Sequence, residues 1–198
     1  MSVLIDAIEP HIARGLFTTR RHVEQSLDDL IGQRGGFYPT QITVPPAWDF
    51  DFNASDKVSH FLAYGCARFA CASFQSYLKV VPDLTIDDRL PWALIQAYYS
   101  AFYAGHSILR ALGCACTYVD GSRAAVVRKV LSAYGSGGQF DGGLYSASLS
   151  QSGNVLRFLR LGVGIGGIHE LFWQLFAIHS HAEAQGSVLV KAFLFQLI

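Results

Sequence analysis

The residues best suited to chemistry stand at helical spacing in one segment: Tyr99, Tyr103, His106 and Arg110. Steps of four, three and four put them on a single helix face. Tyr hydroxyls both donate and accept, imidazole titrates near neutrality, and a guanidinium binds phosphate or carboxylate through two parallel bonds. The stripe therefore reads as a polar pocket for an anion. Alternatively, it is the edge of an amphipathic helix, with the hydroxyls and Arg110 reaching water. A second cluster is Gly166-Gly167-Ile168-His169-Glu170. A glycine turn before a helix exposes backbone N–H groups to an anion. It lacks the G-K-[ST] of a phosphate loop, and position 173 is Trp, so H-E-x-x-H is absent too. We expect any ligand to sit where His106 and Arg110 meet this turn, with Glu170 pairing Arg110 when no ligand is bound.

Other groups promise less. His179, His181 and Glu183 form H-x-H-x-E, and helix neighbours two apart do not share a face. Cys66 and Cys71, then Cys114 and Cys116, give C-x4-C and C-x-C, neither the common zinc knuckle. Buried, reduced thiols are the expectation. Nothing calls for a metal or a cofactor, and no serine or cysteine nucleophile signature occurs.

These residues need elements to hold them. The mean charge is low: 51% of the 198 residues are hydrophobic and 15% charged, so a large core, an extensive interface or both are expected. Fifteen basic residues balance fifteen acidic ones, which argues against a dedicated duplex-DNA binder. Residues 1–15 carry Asp6, Glu9 and Arg14 and show no secretory pattern. The uncharged run Pro91–Leu109 holds Gln96, Tyr98, Tyr99, Tyr103 and His106, too polar for a membrane span. A cytoplasmic protein is expected.

The periodicity predicts a mainly α fold, a helical bundle in one domain over 1–198, with a small β-hairpin near 144–160. Helices are expected over 2–16, from Thr18 or Thr19 to about 30–33, from Asn53 or Ser55 to about Val80, over 91–112, from Asp120 or Ser122 to Tyr134, and over 168–184. Pro82 is expected to stop the third. Residues 34–53, with Pro39, Pro45 and Pro46 among five aromatics, read as a packed loop. Leu94, Tyr98, Phe102, Gly105, Leu109 and Leu112 form the expected core face of the 91–112 helix. Ile168, Leu171, Phe172, Leu175 and Ile178 or His179 form that of the last helix. Tyr134 is expected inward, and the apolar run Ser187–Ile198 docked in the domain or in a partner.

The pattern Tyr98-Tyr99-x-x-Phe102-x-x-x-x-Ser107-x-Leu109, after a long helix, resembles a helix of the HEPN superfamily. The resemblance implies a small helical bundle of the kind found in prokaryotic toxin–antitoxin and antiviral defence systems. Catalytic members place His five to seven positions after Arg. Here the nearest such pairs are Arg14 with His22 and Arg160 with His169, separated by more, and His106 precedes Arg110. The resemblance therefore implies a non-catalytic interaction or assembly subunit, a homo-oligomer or a partner of another protein. The other reading is an enzyme acting on RNA or a nucleotide through His106 and Arg110, or His169.

Overall fold

The computed structural model describes residues 26–32, 36–41, 47–52, 55–84, 87–135, 139–150, 155–162 and 167–184. In chain order these form α1 (Leu27–Gly32), β1 (Phe37–Gln41), β2 (Ala47–Phe52), α2 (Ser55–Asp83), a 3-10 turn (Asp87–Arg89), α3 (Leu90–Ala111), β3 (Cys114–Val119), α4 (Gly121–Ala133), β4 (Gly143–Leu149), β5 (Val155–Arg160) and α5 (Ile168–Ala184). The helix expected over 2–16 and the run 187–198 lie outside the described residues.

The fold is α+β, not a helical bundle. Five strands make one antiparallel sheet in the order β1-β2-β5-β4-β3. The hairpin expected near 144–160 is its β4–β5 pair. The 34–53 loop is corrected to an edge hairpin. Trp48-Asp49-Phe50-Asp51-Phe52 alternates as a strand must, and the neighbouring prolines obscured that period. Pro39 is tolerated because β1 is an edge strand, where a missing N–H need not break a ladder bond. Gly113, at φ +80°, ends α3 and turns the chain into β3, a left-handed position that suits glycine.

The sheet separates two cores. On one face Phe50, Tyr145, Leu156 and Phe158 meet α1 (Leu30, Ile31), α4 (Val127, Leu131) and the start of α2 (Val58, Leu62). On the other, Cys114, Cys116 and Leu144 meet Leu109 of α3 with Phe172 and Leu175 of α5. Asp120 caps α4 as expected, accepting the Arg123 N–H at 2.9 Å. Tyr134 is exposed and stacks on Tyr38 instead of turning inward.

α2 and α3 form a long antiparallel hairpin with a seam of small side chains. Ser107 Oγ donates to Cys66 O at 3.0 Å. Seven residues nearer the tip, Ser73 Oγ donates to Ser100 O (2.9 Å) and Ser100 Oγ to Ser73 O (3.0 Å). Seven further on are Val80 and Ala93, both buried. This seven-residue step is that of a coiled-coil seam, and the hydroxyls satisfy each other where small side chains let the backbones approach. Pro82 does not stop α2. It falls in the last turn, and the ladder resumes with Leu84 N–H to Val80 O at 3.0 Å.

Only the C-terminal part of α3 lies over the sheet. The expected core face is therefore sealed at one end and open at the other: Leu109 is 0% exposed and Leu94 61%. Tyr98 is likewise exposed, while Phe102 and Leu112 are half-buried. On α5, Phe172 and Leu175 are buried as expected, but Ile168 and Ile178 face out.

Candidate functional site

The sequence-predicted residues on α3 are not a solvent-facing stripe. His106 and Arg110 are buried, with 7% and 5% of their surfaces exposed. The reason is that α2 covers one side of α3 and α5 another. The His106 ring lies between Phe69 of α2 (4.7 Å, 15° between planes) and Phe172 of α5 (4.1 Å, 24°). Phe102 meets it edge-on at 4.6 Å. The imidazole thus fastens three helices.

Arg110 Nη1 donates to His106 Nδ1 at 3.1 Å and to the His106 carbonyl at 3.1 Å. A guanidinium has no lone pair to offer, so Nδ1 must accept and the imidazole proton rests on Nε2. Burial, with Arg110 beside it, pushes His106 down to about 3, so the ring is neutral at ordinary pH. Burial also lowers Arg110, to about 10, which leaves it a cation. That charge sits 4.4 Å from the centre of the Phe69 ring, a cation–π contact.

No carboxylate pairs with Arg110 among the described residues, and its Nε finds no acceptor. The expected pair with Glu170 is not formed. Glu170 is exposed and accepts from Gln174 Nε2 at 3.4 Å. Gly65 is what admits the guanidinium to the seam: a Cβ there would stand 2.5 Å from Arg110 Nε and 2.7 Å from Cδ. A buried cation without a counter-charge is costly, so its apolar replacement of similar length should be tolerated. Arg110→Met is expected to leave stability unchanged within about 1 kcal/mol or raise it, while Arg110→Ala, which leaves a void, should cost about 2–4 kcal/mol. Urea unfolding of both variants checks this, and equal losses would mean that the charge itself holds the hairpin.

His169 lies beside this cluster, at the start of α5. Phe102 bridges the two imidazoles, its centroid 4.6 Å from each. Tyr98 Oη lies 2.9 Å from His169 Nδ1 and accepts the Trp173 indole N–H at 3.2 Å. Indole can only donate, so the Tyr98 hydrogen is free to point at His169. Tyr99 stands edge-on to His169 at 6.0 Å, and Tyr103 links Tyr99 to Phe69. The structure thus brings together Tyr99, Tyr103, His106, Arg110 and His169, and leaves Glu170 apart. Sequence reading misses Phe69, Tyr98 and Trp173, because the role of each depends on contacts with another helix.

Two of the thiols near Arg110, Cys114 and Cys116, are buried. Burial pushes Cys116 up to about 12 and Cys114 upward as well. Cys114 contacts Ser146 Oγ at 3.4 Å and Cys66 contacts Ser107 Oγ at 3.3 Å. Cys71, expected buried, is exposed, and all four cysteines are free. The His179 Nδ1–H is spent on the Leu175 carbonyl at 3.1 Å. Among the described residues no group of three or more His, Cys, Asp or Glu could hold a metal ion, and no helix is long and apolar enough to cross a membrane.

An open groove of about 500 Å³ lies elsewhere, between α5 and the sheet, where Ser146, Arg157, Leu159, Leu175, Ile178 and His179 line it. None of the expected site residues lines it. Its Arg157 is held by Asp49 through two bonds of 2.7 Å. What the His106–Arg110 arrangement does is join α2, α3 and α5 with a neutral ring and an enclosed cation. Comparison with family models, with curated proteins and with solved structures returned no match to this chain.

Proposed function

We propose that the protein is a non-catalytic interaction subunit whose α2–α3 hairpin carries its protein-binding surface. One observation carries this reading. Phe74 and Leu78, both 68% exposed, stand in the open with Tyr77 and Val81 on α2 and with Leu90 and Leu94 on α3. An apolar stretch of this size on a helical hairpin marks a surface that another chain covers. The low charge fraction of the whole chain has the same cause: part of its apolar excess serves an interface and not the core.

The catalytic alternative through His106 and Arg110 finds no comparable support, and the alternative through His169 has an exposed imidazole whose Nδ1 lies 2.9 Å from Tyr98 Oη. An acid or base must reach the proton it moves, and His106 is enclosed by rings with its Nδ1 occupied. The defence or toxin–antitoxin setting remains a proposal resting on the α3 residues that resemble HEPN helices; the sheet has no counterpart in what that resemblance implies.

A photoreactive residue placed at Leu78 should cross-link to a protein chain in the cells that make this protein. The same residue at Tyr118, exposed on β3, should not. Absence of any cross-link at position 78, with the protein folded, overturns the reading.

A further inference from the structure

The flank's own composition says what kind of chain covers it. Taking the seam residues Cys66, Ser73, Ser100 and Ser107 as the contact line, helical spacing places Phe74, Tyr77, Leu78 and Val81 of α2 on the same side of the hairpin as Leu90, Leu94 and Ile108 of α3. All seven are exposed. Ala97, Ala101 and Ala104 continue the α3 side of this flank between Leu94 and Ile108, so the large side chains of α2 stand beside a flatter stretch of α3. The α5 contacts on α3, at Tyr98, Phe102, Gly105 and His106, border this side at Leu94, which α5 leaves exposed.

Neither 69–78 nor 90–109 contains a single Asp, Glu, Lys or Arg. Such a surface has no charge with which to select a different partner. Under a two-fold axis the large side chains of one α2 can lie on the small ones of the other α3. Formal net charge is zero, so two copies meet no long-range repulsion. Homodimer interfaces are the more apolar class, and a two-fold axis lets one patch serve both sides. At roughly 100 Å² each, the seven side chains expose about 700 Å², beyond the largest apolar patch of an ordinary monomer and near the about 800 Å² per partner of a stable interface.

We infer that the occupant is a second copy of this chain, the two α2–α3 hairpins packing flank to flank into a four-helix bundle about a two-fold axis. This rests on the reading of the flank as a protein interface and names its partner. The seven-residue step along the seam is the spacing such a bundle needs.

Sedimentation equilibrium of the purified full chain tests it. Wild type is expected at twice 21.7 kDa. Leu78→Glu combined with Leu94→Glu is expected at the single-chain mass. Both residues are exposed, so the fold should persist, as circular dichroism would show. Ile178→Glu, an equally exposed apolar position on α5, is the control and should stay at the doubled mass. A wild type that remains at 21.7 kDa up to its solubility limit overturns the second copy. If position 78 still cross-links to another protein in cells, the interface reading survives that result. If it does not, both fall. A dimer that the double substitution leaves intact also overturns the proposed flank.

Discussion

Phe172→Ala is expected to cost about 3–5 kcal/mol of folding stability, the range for emptying a fully buried aromatic site. Phe172 is 0% exposed and is the most enclosed of the side chains through which α5 holds α3. Its ring lies 4.1 Å from that of His106 and 4.6 Å from that of Phe102. It fills the space that Gly105 leaves: a Cβ on Gly105 would meet Phe172 Cζ at 2.9 Å. His106 is itself stacked on Phe69 of α2 and cannot collapse inward cheaply, so the void should persist. A urea midpoint shift at unchanged slope would measure the loss. Ile178→Ala, one helix face away and exposed, should change stability by less than about 0.5 kcal/mol. A loss below about 1 kcal/mol for Phe172→Ala would show that α5 is not seated on α3.

Acidification should unfold the protein through His106. Its folded value of about 3 lies far below the about 6.5 of an exposed histidine, because burial and the Arg110 charge disfavour the imidazolium. Below pH about 6.5 the unfolded chain takes up a proton that the folded chain refuses, so stability rises with pH between the two values and falls as pH drops. From pH 7 to pH 4 this single group should remove about 3 kcal/mol. Carboxylates add their own losses in acid, so the quantity to read is the difference between wild type and His106→Gln, which keeps an acceptor for Arg110. The wild-type curve should fall more steeply below pH 6.5. Parallel curves would mean that His106 takes up its proton in the folded state.

Much of the helical skeleton was legible. α3 and α4 begin and end where local chemistry says they should: Asp87 and Asp88 before α3 with Pro91 in its first turn, Gly113 after it, Asp120 capping α4. α5 spans the 168–184 expected for it. The β4–β5 hairpin was legible too, as the hairpin expected near 144–160. β2 carries a regular alternation, but three prolines nearby hid it. β3, Cys-Ala-Cys-Thr-Tyr-Val, has small residues on the face that packs on α3, so its period is weak in hydrophobicity. With β1, β2 and β3 unread, a sheet was reduced to a hairpin and an α+β fold to a bundle.

The candidate site divides the same way. That Tyr99, Tyr103, His106 and Arg110 share a helix face follows from 3.6 residues per turn and needs no other part of the chain. Whether that face meets water does not. The stripe expected to be core, Leu94 and Tyr98, is open at the hairpin tip, and the stripe expected at the edge ends in a buried histidine and arginine. Periodicity reports only that two faces differ, since apolar residues on a helix serve a core and an interface equally well. Which face is enclosed depends on where α2 crosses at Gly65, where α5 inserts Phe172 and how far the sheet extends along α3. Those are contacts between residues tens of positions apart, and only the assembled chain decides them.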